Sequence, residues 1–123
     1  HLPADNLLAP IALDVCDSIW AVEQPTLTAS LQDHFQQHPI WAIVNINMIH
    51  IAPWSACLGL LAGAERLLPI GGILYLYGPF QIQGQHTAPS NAAFDASLRT
   101  QNSEWGVRDL DEVVAIAQRH CLS

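Results

Sequence analysis

Trp41-Ala-Ile-Val-Asn45-Ile-Asn47-Met-Ile-His50-Ile-Ala-Pro53-Trp54 leads into a run rich in leucine, alanine and glycine that ends at Leu68. It is followed by Pro69-Ile-Gly71-Gly72-Ile-Leu-Tyr-Leu-Tyr77-Gly78-Pro79-Phe80. Two short apolar runs of β type flank a segment of helical periodicity, the pattern of a strand, a crossover helix and a parallel strand. Each strand ends in groups able to contact a ligand: Asn45, Asn47 and His50 after the first, Tyr77, Gly78 and Pro79 after the second. In open α/β sheets ligands bind at the carboxyl ends of strands, where loops converge and helix N-termini point. The spacing therefore predicts a site between these two strand ends.

Outward from this centre, Pro10-Ile-Ala-Leu-Asp14-Val15 reads as a short buried strand ending in a carboxylate. Leu27, Leu31 and Phe35, between Pro25 and His38, lie at helical spacing, and Pro39 stops that helix. Pro53 fits the first turn of the central helix, with Leu58, Leu61 and Leu68 facing the sheet. The segment from Gln81 to Trp105 is polar and turn-rich, longer than an ordinary connection, and residues 80–106 read as a substrate lid. Within it Asn91 to Arg99 forms a short helix with Phe94 and Leu98 on one face. A last helix starts at Arg108, its acidic first turn matched to the helix dipole and Leu110, Val113, Val114 and Ala117 facing inward. The order β, α, β, α, β, lid, α implies an α/β domain with a parallel sheet and right-handed crossovers.

At 123 residues the chain is one domain at most, and with 50% hydrophobic and 12% charged residues it is globular. A formal charge of −7, against only four basic residues, argues against a nucleic-acid partner and against an anionic membrane surface. No apolar run reaches the roughly 20 residues of a spanning helix. Three widely spaced cysteines, Cys16, Cys57 and Cys121, suit neither a disulfide framework nor zinc, and read as small buried residues of a cytoplasmic protein. The six histidines show no ligand spacing, and no metal is expected.

Arg66-Leu-Leu-Pro69-Ile-Gly-Gly72-Ile-Leu resembles the signature preceding the fifth strand of class I S-adenosylmethionine-dependent methyltransferases, with Pro69-Ile70 standing where Lys-Pro is usual. Asn47-Met-Ile-His50-Ile-Ala-Pro53-Trp54, Leu76-Tyr77-Gly78-Pro79-Phe80, Ser90-Asn91-Ala-Ala-Phe94-Asp95-Ala-Ser-Leu98-Arg99 and Glu104-Trp105-Gly106-Val-Arg108-Asp109 are together similar to the domain-of-unknown-function 938 family. That family includes the methyltransferase-like 26 proteins of vertebrates. The resemblance implies part of a Rossmann-like class I methyltransferase fold, its third, fourth and fifth strands with flanking helices. The family sheet order, 3-2-1-4-5-7-6, leaves the third strand without its neighbours. None of the seven glycines forms the Gly-rich cofactor loop of such enzymes, and the ribose carboxylate is missing as well. A nicotinamide enzyme is disfavoured for the same lack of a Gly-rich turn. The chain opens at His1-Leu2-Pro3 without an initiator Met and stops after a helical run, so residues 1–123 are expected to be an internal portion of a domain of about 200 residues. Such a portion is expected to be inactive by itself.

The resemblance makes Asp14 an adenine contact, with Val15 and Cys16 as wall residues, and favours Asn47 over Asn45 for the methionine part of S-adenosylmethionine. His50 is a candidate base or substrate-orienting group, because an imidazole titrates near neutrality. Tyr77 is a candidate substrate contact, and Asn91, Phe94, Arg99 and Arg108 are substrate-binding candidates in the lid. Arg99 or Arg108 can receive a carboxylate bidentately, while Asp95 and Arg99 at i, i+4 can simply pair at the surface. Trp54 and Trp105 read as packing beneath the lid. The expected function is methyl transfer to a small-molecule acceptor. The alternative is a non-catalytic binding or interaction module on the same fold. Exposed strand edges of a partial sheet invite a homodimer.

Overall fold

The structure, a computed structural model, describes residues 6–123; the lead-in His1-Leu2-Pro3 lies outside them. The elements are a 3-10 turn at Ala21–Glu23, α1 (Ala29–Gln37), β1 (Ala42–Ile46), α2 (Trp54–Leu67), β2 (Ile73–Tyr77), β3 (Phe80–Ile82), β4 (Gln85–His86), α3 (Pro89–Gln101), β5 (Arg108–Asp109) and α4 (Leu110–Arg119). This is a mixed α/β protein.

The central prediction holds. β1 and β2 run parallel with Ala42 opposite Ile73 and Ile46 opposite Tyr77, and α2 connects them. The ladder continues at both ends, from Ile73 N–H to the Trp41 carbonyl at 2.9 Å and from Asn47 N–H to the Tyr77 carbonyl at 2.8 Å. The turn into β2 closes with Gly72 N–H donating to the Pro69 carbonyl at 2.8 Å, and Gly71 supplies its positive φ of 87°. Pro53 is the N-cap of α2, one position before the first turn where the sequence reading put it.

The core lies on one side of this sheet. Trp20, Ile49, Cys57, Leu60, Leu61 and Val113 form it, with Ile43, Leu74 and Leu76 packed against it from the inner sheet face. Leu60 and Leu61, 2% and 0% exposed, each contribute about 1.5–3 kcal/mol of burial. Leu58, expected inward, is 37% exposed, because the buried stripe of α2 runs through Ala56, Cys57, Leu60, Leu61, Gly63 and Ala64 instead. Trp20 fits because Gly63 offers no side chain: a Cβ there would fall 2.0 Å from the indole. Arg66 lies over the same indole and donates through Nε and Nη2 to Glu23 at 3.0 Å, which fixes the 3-10 turn on α2.

Several expectations are corrected. No strand forms at Pro10–Val15; the segment is irregular, and the Asp14 carboxylate turns the chain by accepting the Cys16 N–H at 2.9 Å. A strand needs a hydrogen-bonded neighbour, and none lies beside this segment among the described residues. The sheet is consequently two-stranded. α1 starts at Ala29, capped by the Thr28 hydroxyl, so Leu27 precedes it. Cys57 is buried but Cys16 and Cys121 are exposed, and all three are free. On α4 Val113 is the buried residue, while Leu110 and Val114 face outward at 36% and 44% exposure.

Residues 80–106 are not a loose loop. Phe80 and its neighbours pair with β4 antiparallel and with β5 parallel, giving a second, three-stranded sheet in the order β4-β3-β5. α3 packs on β4, with Pro89 at its first position and Leu98 buried beneath it. Among the described residues no helix is long and apolar enough to cross a membrane.

Candidate functional site

β1 ends at Ile46, and Asn47 then takes a positive φ of 53°, an arrangement asparagine tolerates better than most residues. This bend sends the chain into the 48–53 loop ahead of α2 and leaves the Asn47 side chain exposed at the strand end. Gly78 ends β2 directly opposite. A Cβ there would sit 3.4 Å from the His50 ring and 3.5 Å from the Asn47 Oδ1, so the glycine leaves room between these groups. Asn45, one turn of the pleat earlier, points toward the helices and donates to the Met48 sulfur at 3.5 Å. Of the two asparagines, Asn47 is the one exposed at the strand end beside Gly78.

His50 is buried at 4% exposure, its ring edge-on to Phe94 with centroids 5.6 Å apart. Burial, reinforced by the positive charge of Arg108, lowers its pKa, so the imidazole stays neutral at neutral pH and retains a lone pair for a proton. Its carbonyl accepts the Gly106 N–H at 3.0 Å, which ties the 48–53 loop to the chain between α3 and β5.

Arg108 completes that tie. It donates to the carbonyls of Ile49 at 3.3 Å, Ala52 at 2.8 Å and Glu104 at 2.7 Å, and its guanidinium lies 5.6 Å from the Trp54 ring centroid. Desolvation lowers its pKa, yet an arginine remains charged. The residue clamps the small sheet onto the carboxyl ends of β1 and β2. Trp54 thus packs where the sequence reading placed it.

Asp95 is the second buried polar side chain of this region, at 9% exposure. It accepts the Val107 N–H at 2.7 Å and the Arg99 Nε at 3.1 Å, and lies 3.5 Å from the His86 Nε2. Burial opposes its ionisation, but the Arg99 and Val107 donors prevail and hold its pKa low. The His86 Nδ1 is buried without a partner among the described residues. The i, i+4 pair foreseen as a surface feature is therefore the hub of a half-buried network. Its burial had a signal in the sequence: Asp95 and Leu98, at i, i+3, share a helix face. Nothing in the sequence marked His86, and Gly106 stood out only as part of the Glu104–Asp109 motif.

The remaining candidates are dispersed. Asn91 donates to the Thr87 hydroxyl at 3.0 Å, at the entry to α3, and Phe94 is 40% exposed above His50. Tyr77 projects from the open sheet face at 60% exposure, and no contact joins it to His50 among the described residues. Asp14 lies in an exposed turn, with Val15 half-buried beside it. That turn sits against α2: the Val15 carbonyl would touch a Cβ at Gly59, and the Cys16 sulfur lies 3.9 Å from the Ser55 hydroxyl. Ser55 belongs to the first turn of α2, so Asp14 and Asn47 occupy the same end of the molecule.

A groove of about 770 Å³ lies elsewhere, between α2, β2 and α4, and is lined by Leu61, Leu74, Leu76, Val113 and Ala117. Its polar lining includes Glu65 and His120, which bond to each other, whereas the strand ends are where open α/β sheets bind ligands. Among the described residues no three His, Cys, Asp or Glu side chains are grouped to hold a metal ion.

A family model described as "Protein of unknown function (DUF938)" matches residues 1–123. The chain belongs to that family. No solved structure matches it. In this DUF938 member the residues brought together at the strand ends are Asn47, His50, Gly78 and Phe94, with Asp95, Arg99, Gly106 and Arg108 beside them.

Proposed function

We propose that this protein takes part in S-adenosylmethionine-dependent methyl transfer to a small-molecule acceptor, with β1, α2 and β2 corresponding to the fourth and fifth strands of a Rossmann-like class I fold. The observation that carries this reading is the paired carboxyl ends of two parallel strands, where Asn47 and Gly78 face each other and a second small sheet is clamped across the opening. S-adenosylmethionine supplies an electrophilic methyl group on a sulfonium. The residues present fit part of that group. Asn47 offers an exposed amide for its amino-acid end, Gly78 leaves space, and the Asp14 turn stands at the same end of α2 for the adenine. Its ribose has no carboxylate partner in this reading, and the seven glycines form no Gly-rich loop. Alignment of acceptor and methyl group carries most of such a reaction, and the neutral His50 is able to accept the departing proton. A cytoplasmic location is part of this proposal, supported by three free cysteines.

A second reading is a binding module without catalysis. It is favoured by the way His50 and Arg108, the groups with most chemical potential, are buried or held by backbone carbonyls.

Calorimetric titration of S-adenosylhomocysteine into this chain, and into any longer product that contains it, separates them. Binding near the micromolar range, about −8 kcal/mol, only where a Gly-rich loop and a ribose carboxylate are present as well is the expected result. Binding by both means that the Asp14 and Asn47 side suffices. If neither binds, the binding module replaces the enzyme.

A further inference from the structure

Arg99 and Arg108 lie close enough for the charge of one to depress the pKa of the other, yet their hydrogen bonding differs. Arg108 is occupied by three backbone carbonyls. Arg99 donates through Nε to both oxygens of Asp95 at 3.1 Å, and its two terminal amino groups have no protein acceptor among the described residues. Its side chain is 52% exposed, whereas that of Asp95 is 12% exposed. One end of this guanidinium is therefore anchored inside the protein and the other is presented to solvent.

Its orientation is fixed twice. Asp95 cannot swing, because the Val107 N–H holds it at 2.7 Å. Beneath the guanidinium lies Gly106, where a Cβ would fall 2.9 Å from both the guanidinium carbon and Nη2. Only a residue without a side chain lets the plane rest there. The long flexible side chain of an exposed arginine ordinarily loses rotamer entropy on binding; here that loss is already taken in the fold.

The local charge points to the occupant. Arg99 and Arg108 stand against Asp95 and Glu112, so the surroundings carry no net charge and the attraction is local to the free end of the Arg99 guanidinium, inside a chain whose formal charge is −7. Two adjacent terminal amino groups form the fork that matches a carboxylate in plane. We propose that Arg99 binds a carboxylate of the methyl acceptor, with Asp95 as the positioning residue that aims it. The word acceptor rests on the methyl-transfer reading above; the carboxylate site does not.

The test uses this chain, whose Arg66, Arg99, Arg108 and Arg119 are few enough for their Nε–H resonances to be assigned by substitution. Propionate and, separately, inorganic phosphate are titrated at constant ionic strength. The Arg99 Nε–H and the backbone amides of Gly106 and Val107 report binding. Saturable shifts with propionate at these positions, with Arg119 unmoved, are expected. Arg99→Gln should abolish the response of Gly106 and Val107. Arg99→Lys, which keeps the charge and loses the fork, should weaken it by about tenfold. Its amide spectrum shows directly that the fold is retained. An equal response in Arg99→Gln, or equal shifts at Arg119, overturns the site. Saturation by phosphate but not propionate overturns the carboxylate. Propionate binding without S-adenosylhomocysteine binding in either protein removes the methyl-transfer reading alone; the converse removes only the Arg99 site.

Discussion

His50 sits between Phe94 and the backbone at Gly78 with its pKa lowered by burial and by Arg108. An imidazole in the unfolded chain titrates near 6.5. As pH falls through that value the unfolded chain takes up a proton that folded His50 refuses. Stability therefore declines on acidification, and the decline ends only below the lowered folded pKa. The carboxylates with lowered pKa values, Glu23 and Asp95, lose their contributions at more acidic pH, so the two effects separate. His50→Asn should be less stable at about pH 7.5 but should lose less on moving to about pH 5.5. Urea melts at the two pH values measure this; identical losses in both proteins would sink the assignment of the slope to His50. That Asn47 and His50 come together at the end of β1 was legible from their place after an apolar run. That Arg108 is a clamp and Arg99 a free fork was not, because the two arginines look alike until the backbone carbonyls around them are placed.

At the scale of elements, α2 shows why small residues mattered. Alanine is favoured over glycine within a helix by about 1 kcal/mol, so propensity alone makes Gly63→Ala stabilising. The new Cβ would meet the Trp20 ring at 2.0 Å, and overpacking of a filled core costs about 1–3 kcal/mol. Gly63→Ala is expected to lower the melting temperature and to change the near-ultraviolet signal of Trp20. A raised melting temperature would show that Trp20 does not seat on α2 as described. The β1-α2-β2 unit was readable because its periodicities are strong and its contacts are local in sequence. The Pro10–Val15 strand failed for a different reason: an apolar run makes a strand only when another strand supplies its hydrogen bonds. The small sheet escaped notice because β4 and β5 are two residues each, too short for any alternation to show.

Across the whole molecule, the inner face of the β1-β2 sheet is covered by helices and the outer face is open. Val44, Ile46, Ile73, Tyr75 and Tyr77 are 53–62% exposed there. Parallel sheets are ordinarily covered on both faces, and contiguous apolar patches drive association. Sedimentation velocity should show self-association that grows with concentration, and Val44→Glu combined with Tyr75→Glu should suppress it through repulsion between acidic copies. A wild-type chain that stays monomeric throughout would contradict this. The amino-acid sequence by itself determined the central strand-helix-strand unit, the polar strand ends and the acidic, charge-poor surface. These follow from periodicity, turn residues and composition, all local or additive properties. Only the tertiary structure decided that Asp14 caps a turn, that β3 and β4 join β5 in a clamped second sheet, and that Asp95 is buried while holding Arg99. Hydrogen-bond partners distant in sequence settle those points, and no pattern along one chain encodes which distant carbonyl or amide will be nearby.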